Sequence, residues 1–327
     1  MSRSRWTPLV ALLALAVACG GNDRSAAVAD STSGLAAGDS SAGGSPGGTG
    51  DSRLEGFENP ESVKYDGDLD VWYVSNVNGS PVGKDGNGYI SRLKGDGSLD
   101  SLKFIVGGTN GVKLDAPKGM ALQGDTLWVA DIQSLRGFDR RTGKPVASVD
   151  LKGSKFLNDV AAGPDALYVT DTGVEGSATG IEHTGPDRIY RVGPDRKVTV
   201  ALESDSLTGP NGIAWDGARR RFVIVPFAGS VVRTWAPGAR NAAAFATSKG
   251  QLDGVELLDG DRLLVTSWTD SSLFVLDSAG TATPVASGLP SPADIGVDTK
   301  RNRVAVPLLM ENRVEFRALP ASGKGLP

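Results

Sequence analysis

Apolar positions between residues 58 and 319 come in short runs rather than in helical stripes. Val71-Trp72-Tyr73-Val74, Leu127-Trp128-Val129, Leu167-Tyr168-Val169 and Phe222-Val223-Ile224-Val225 are typical: β-branched and aromatic residues, bounded by Gly, Asp, Asn or Pro. Runs of this kind read as strands, and no long window carries the 3.6-residue period of an amphipathic helix. The pattern predicts an all-β domain.

One phrase recurs six times, each copy followed closely by a strand-like run. The copies open Pro60-Glu61-Ser62-Val63, Pro117-Lys118-Gly119-Met120, Leu157-Asn158-Asp159-Val160, Pro210-Asn211-Gly212-Ile213, Leu252-Asp253-Gly254-Val255 and Pro292-Ala293-Asp294-Ile295. Most intervals are about 40 residues, the period of a propeller blade with four strands. The two longer intervals hold Gly-rich polar insertions at about residues 78–88 and 173–187. We therefore expect a six-bladed β-propeller with four-stranded blades, rather than an open solenoid, which would need terminal caps. The sixth copy has too few strands after it, so ring closure calls for a strand from just before Glu61 or from the other end.

In a propeller the innermost strand of each blade lines the central channel, so equivalent positions converge on one axis. The second residue of each phrase gives a ring of Glu61, Lys118, Asn158, Asn211, Asp253 and Ala293. Two carboxylates and two amides at one end of a channel suit a hard divalent cation. Calcium or magnesium is the expectation, with zinc a further option, although one histidine in the chain excludes a multi-His zinc site. Lys118 opens two readings. Its ammonium could pair with Glu61 or Asp253 and stand in for a cation, or it could hold a substrate carboxylate or phosphate.

The first residues are different in kind. Arg3 and Arg5 precede the apolar run Leu9 to Ala18, which is too short to span a bilayer and has the length of a signal-peptide core. It ends in Ala16-Val17-Ala18-Cys19-Gly20, which resembles the lipobox of bacterial lipoproteins. Cys19 is the only cysteine in the chain, so it has no disulfide partner within it and is the expected lipidation site. Residues 1–18 are read as the signal peptide and 19–54 as a disordered Gly/Ser/Ala-rich tether with a reach on the order of 30 Å. The propeller is read as 55–320 and a flexible tail as 321–327. Gly43-Gly44-Ser45-Pro46-Gly47 matches a nucleophile-elbow pattern but lacks the strand and helix that motif needs. These features predict export and a lipid anchor in the cell envelope, at the outer membrane facing the periplasm in a Gram-negative cell. The net charge of −4 argues against nucleic acid as a partner.

The repeat carries a resemblance. Glu61-Ser62-Val63-Lys64-Tyr65-Asp66, Leu157-Asn158-Asp159, Pro210-Asn211-Gly212-Ile213 and Leu252-Asp253-Gly254-Val255 together resemble motifs of the senescence marker protein/gluconolactonase/luciferin-regenerating-enzyme family of six-bladed propellers. The resemblance implies that Glu61, Asn211 and Asp253 bind the metal, that Asn158 lies beside metal and substrate, and that Asp253 is the base. It departs from the family at Ser62 and Val63, at Phe156 in place of a substrate-binding Arg, and at Lys118. The function it implies is metal-dependent hydrolysis of a lactone or related small ester. The alternative is a non-catalytic propeller that binds a ligand or a protein partner.

A few residues complete the reading. His183 is the only histidine, and its place in the second insertion makes it either a substrate contact or an exposed loop residue. Asp66-Gly67-Asp68 begins like a calcium loop but lacks the Gly and Glu that an EF-hand requires, and is read as a turn. Asp131 and Asp171 are expected to bond turn amides within their blades. Trp72, Trp128 and Tyr168 are expected to pack between blades. Trp268 follows the equivalent strand of the fifth copy and has no assigned place.

Overall fold

The computed structural model describes residues 51–178 and 180–319. The stretches read from sequence as signal peptide and tail, Cys19, and nearly all of the stretch read as tether lie outside the described residues. The rest forms six four-stranded antiparallel sheets arranged as the blades of a propeller. Blade 1 runs Pro60–Asp66, Val71–Asn76, Tyr89–Lys94 and Leu99–Val106, from the inner strand outward. The inner strands of blades 2 to 6 are Pro117–Gln123, Leu157–Ala162, Pro210–Asp216, Leu252–Leu258 and Gly296–Asp298.

The ring closes with mixed ends. Blade 6 takes three strands from the C-terminal side, and its outermost strand is Ser52–Glu55, paired antiparallel to Arg313–Ala318 with Ser52 opposite Phe316. The sequence reading left both ends open for this role, and the N-terminal side supplies it. Ser52, Arg53 and Leu54, read from sequence as tether, are therefore blade residues. Closing a ring with strands from both termini leaves no free blade to peel away.

The core lies between blades. Trp72 of blade 1 packs edge-on against Phe316 of blade 6 at 5.4 Å. Tyr168 of blade 3 packs tilted against Phe222 and edge-on against Trp235 of blade 4, at 4.5 and 5.8 Å. Trp128 packs into the blade 2–blade 3 cluster. All three expected aromatic wedges thus sit at blade boundaries. Asp66 heads the tight turn read from sequence, accepting from the amides of Asp68 and Leu69, and it pairs with Arg140 of blade 2 at 3.0 Å.

A local irregularity positions the ring of polar residues. In blades 1 to 5 the inner strand breaks register at that point, for example between Leu157 and Val160, Pro210 and Ile213, and Leu252 and Val255. A bulge inserts one unpaired residue and re-aims the side chains around it. The neighbouring inner strands also come close enough there to require glycine. A Cβ on Gly119 would lie 2.1 Å from Asp159 Oδ1, and one on Gly212 would lie 2.4 Å from the Asp253 carbonyl oxygen. Threonines of the second strands clamp the next blade at the same level. Thr170 Oγ1 donates to the Asn211 carbonyl at 2.8 Å, and Thr266 Oγ1 donates to the Ala293 carbonyl at 3.0 Å.

Candidate site at one end of the channel

The bulges bring Glu61, Lys118, Asn158, Asn211 and Asp253 into one buried polar layer, with Ala293 as its apolar sixth member. Asp253 Oδ2 accepts a hydrogen bond from Trp268 Nε1 at 2.9 Å, and the Asn211 amide beside this carboxyl favours its charged form. Asp253 Oδ1 and Glu61 Oε2 are buried and have no hydrogen-bond partner. Orphaned buried carboxylate oxygens are costly, and they cluster where a ligand or ion completes them. Burial and then the charge of Asp253 hold the Glu61 carboxyl well above the usual range, with Lys118 pulling the other way. Asp253 is pushed up to about 8, by burial and then by Asp294.

Lys118 is 1% exposed and forms no ion pair within 4 Å among the described residues. Its Nζ donates to the carbonyls of Ala116 at 2.9 Å and Pro81 at 3.1 Å, and lies over the Phe156 ring at 4.2 Å. Burial pushes its pKa down to about 8, against the pull of Glu61. Pro81 belongs to the first insertion, so this loop closes over the blade 2 side of the layer. Asn158 Nδ2 donates to Thr172 Oγ1 at 3.1 Å, and that hydroxyl donates to the Pro210 carbonyl.

A second acidic layer lies one residue further along the inner strands. Asp159 accepts from the amides of Val160 and Ile213 at 2.7 and 2.8 Å, and Asp294 Oδ2 accepts from Ser62 Oγ at 2.6 Å. Burial pushes Asp294 up to about 6, opposed by Lys64. Further on, Lys64 of blade 1 and Glu256 of blade 5 form an ion pair of 3.1 Å across the channel.

Other sequence-marked residues fall outside this layer. His183 ends the second strand of a small hairpin, Val174–Ser177 and Gly180–His183, formed by the second insertion. Its Nε2 is 2.6 Å from Asp187 Oδ1, and no contact joins it to Glu61, Asn211 or Asp253 among the described residues. Asp131 and Asp171 accept turn amides as expected: Asp131 from Asp115 and Ala116, Asp171 from Lys155, Phe156 and Gly173. A cleft of about 350 Å³ between blade 2 and the first insertion, lined by Lys84, Asp131, Arg136 and Asp150, contains none of the layer residues.

Sequence reasoning missed Trp268, Thr172 and Asp294. The first two share a signal, the residue directly after a second strand. Asp294 directly follows a layer position, as Asp159 does.

Among the described residues no three His, Cys, Asp or Glu side chains come together as a metal cluster, so the candidate donor set is two carboxylates and an amide. It still fits a hard cation, because the two orphaned oxygens belong to residues of that set and amide oxygens are ordinary ligands of calcium.

Comparisons with known proteins agree with this architecture. A sequence profile described as the SMP-30/Gluconolactonase/LRE-like region matches residues 87–292, a span that takes in Lys118, Asn158, Asn211 and Asp253 but not Glu61. No curated protein matches the sequence. Among solved structures, one assigned as a gluconolactonase superposes with a TM-score of 0.60 at 16% identity, covering 83% of this chain and 94% of that one. A gluconolactonase from Xanthomonas campestris gives 0.59 at 16% identity, covering 81% and 88%. A luciferin-regenerating enzyme gives 0.59 at 14% identity, covering 85% and 98%. At such identities the likeness shows the fold, and the profile match over more than half of the chain shows the family. The chain belongs to the SMP-30/gluconolactonase/LRE-like family.

Proposed function

We propose that this end of the channel hydrolyses a lactone or a related small ester with the help of a divalent cation. The observation that carries the reading is the pair of buried, unpartnered carboxylate oxygens, Glu61 Oε2 and Asp253 Oδ1, with Lys118 turned to carbonyl groups instead of to them. Glu61, Asn211 and Asp253 would hold the cation. When bound, it polarises the substrate carbonyl and stabilises the oxyanion that develops on it. Trp268 fixes one oxygen of Asp253, which leaves Oδ1 to receive the proton of the attacking water. Asn158 and Lys118 border the substrate, and the first insertion limits the access of bulk water from the blade 2 side. The proposed setting is the cell envelope, through lipidated Cys19.

One observation favours the alternative, a binding propeller without turnover: Lys118 is near enough to Glu61 to stabilise its charged form. A lactone-hydrolysis assay after chelation and dialysis separates the two. Our reading expects activity to vanish and to return with calcium or magnesium. Absence of turnover on any lactone or ester at any cation concentration leaves the binding propeller.

A further inference from the structure

We infer that the substrate carries an apolar substituent, which leaves the channel across blades 4 to 6; this rests on the hydrolase reading above. The residues directly after the second strands are Val77, Ile132, Thr172, Phe227, Trp268 and Leu309. In five of the six blades the amide of this residue donates to the carbonyl two positions before the polar layer. The partners are Asn59, Phe156, Gly209, Gln251 and Ser291. The position is therefore equivalent around the ring. Its two polar-capable members both reach the layer, Thr172 to Asn158 and Trp268 to Asp253. The six form a collar around the layer, and five of them are apolar or aromatic.

The collar is covered on one side only. Val77 and Ile132 pack with Ala116 in a small buried cluster near the first insertion. That insertion is tied down by Lys118 to Pro81 and by Lys84 to Gln133. It meets the hairpin of the second insertion, where a Cβ on Gly176 would lie 3.2 Å from Val82 Cγ2. Phe227, Trp268 and Leu309 remain partly exposed, and the first two rings meet edge to face at 5.5 Å. The open rim beside Asp253 is thus an apolar arc.

The polar inventory points the same way. A polyhydroxylated lactone needs several donors and acceptors fixed around its ring. Here the Trp268 N–H is used on Asp253, one of the two Asn158 amide N–H groups on Thr172, the Thr172 hydroxyl on Pro210, and two Lys118 N–H groups on carbonyls. An alkyl or aryl group against the arc requires none of these. Each methylene that reaches the arc contributes about a fourfold gain in binding.

The test uses the purified chain and γ-lactones with n-alkyl chains of increasing length beside glucono-δ-lactone. Matching γ-lactams, which resist hydrolysis, are titrated in parallel by tryptophan fluorescence. We expect kcat/KM and lactam affinity to climb about fourfold per methylene until the arc is covered, with glucono-δ-lactone the poorest substrate. Trp268→Ala and, as a second variant, Phe227→Ala flatten the slope. Preference for glucono-δ-lactone, or a flat slope in the unmodified chain, overturns the inference while leaving hydrolysis intact. A lactam slope without turnover of any lactone supports the apolar arc and rejects the hydrolase reading. Neither binding nor turnover rejects both.

Discussion

The two ends of the channel carry the same kinds of residue in opposite states. At one end Glu61 and Asp253 each keep a buried carboxylate oxygen without a partner, and the nearby ammonium of Lys118 is spent on backbone carbonyls. At the other end Lys64 meets Glu256 at 3.1 Å. Between them Asp159 and Asp294 are buried but hydrogen-bonded. Charge alone therefore does not mark a site in this channel. Paired or bonded charges join one blade to the next, and the unsatisfied pair is where chemistry has an opening.

The strongest way to break this contrast is Asp253→Asn. Its loss should remove cation binding and lower lactone turnover by about 10²–10⁴-fold, the range for a lost acid–base group. Thermal denaturation without cation should move the other way. The folded pKa of Asp253 is raised to about 8, above an unfolded value of about 3.9. Its contribution is thus fully present below about pH 3.9 and lost as pH rises to about 8. The cation-free chain should lose stability over that window, and Asp253→Asn should be the more stable of the two at pH 8. Equal melting curves at pH 8 would contradict the burial of an unpartnered charge.

Next in size is Trp268→Phe, which keeps a ring but deletes the donor to Asp253 Oδ2. A hydrogen bond to a charged group is worth about 1.5–3 kcal/mol, so kcat/KM should fall about ten- to hundredfold while cation content stays. At the far end, Glu256→Gln removes the partner of Lys64. The two side chains are 27% and 25% exposed, so the loss should be about 1–3 kcal/mol, short of a fully enclosed pair. Urea denaturation reads this, and cation content should not change.

The smallest effect concerns His183. Its pKa is raised above 6.5 by the hydrogen bond to Asp187, with burial opposing. The stabilisation is fully present below about pH 6.5 and is lost as pH rises through the raised value. Side-chain exposure of 47% keeps it to a few tenths of a kcal/mol. Hydrogen exchange in Val174–Ser177 and Gly180–His183 should speed up above that pH beyond the intrinsic base-catalysed rise. His183→Gln should remove the extra step.

The blade repeat was legible because five of the six inner strands carry the same bulge at the same place, which leaves a recurring phrase. The polar layer was legible for the same reason, since Glu61, Lys118, Asn158, Asn211 and Asp253 hold one place in that phrase. Ser52–Glu55 was harder to see: it is an outermost strand with one partner, and its composition runs on from a polar stretch without a boundary. The hairpin at Val174–Ser177 and Gly180–His183 has only Val174 and Ile181 on its apolar face, too few to read as a strand-like run, and its ladder and the Lys155–Glu175 pair help hold it. The role of Trp268 depends on a hydrogen bond between two strands, which no period in one strand records. Whether Lys118 paired with the acids or turned away also lay beyond the sequence. The carbonyl of Pro81, in an irregular insertion, decides it.

The most direct test of the central claim is the cation content of the purified chain, by elemental analysis after dialysis and add-back of calcium or magnesium, beside Glu61→Gln. Our account predicts about one tightly held cation per chain, lost in Glu61→Gln without loss of the folded propeller. A chain that takes up no cation under any add-back condition, or a Glu61→Gln variant that retains it in full, would contradict the account.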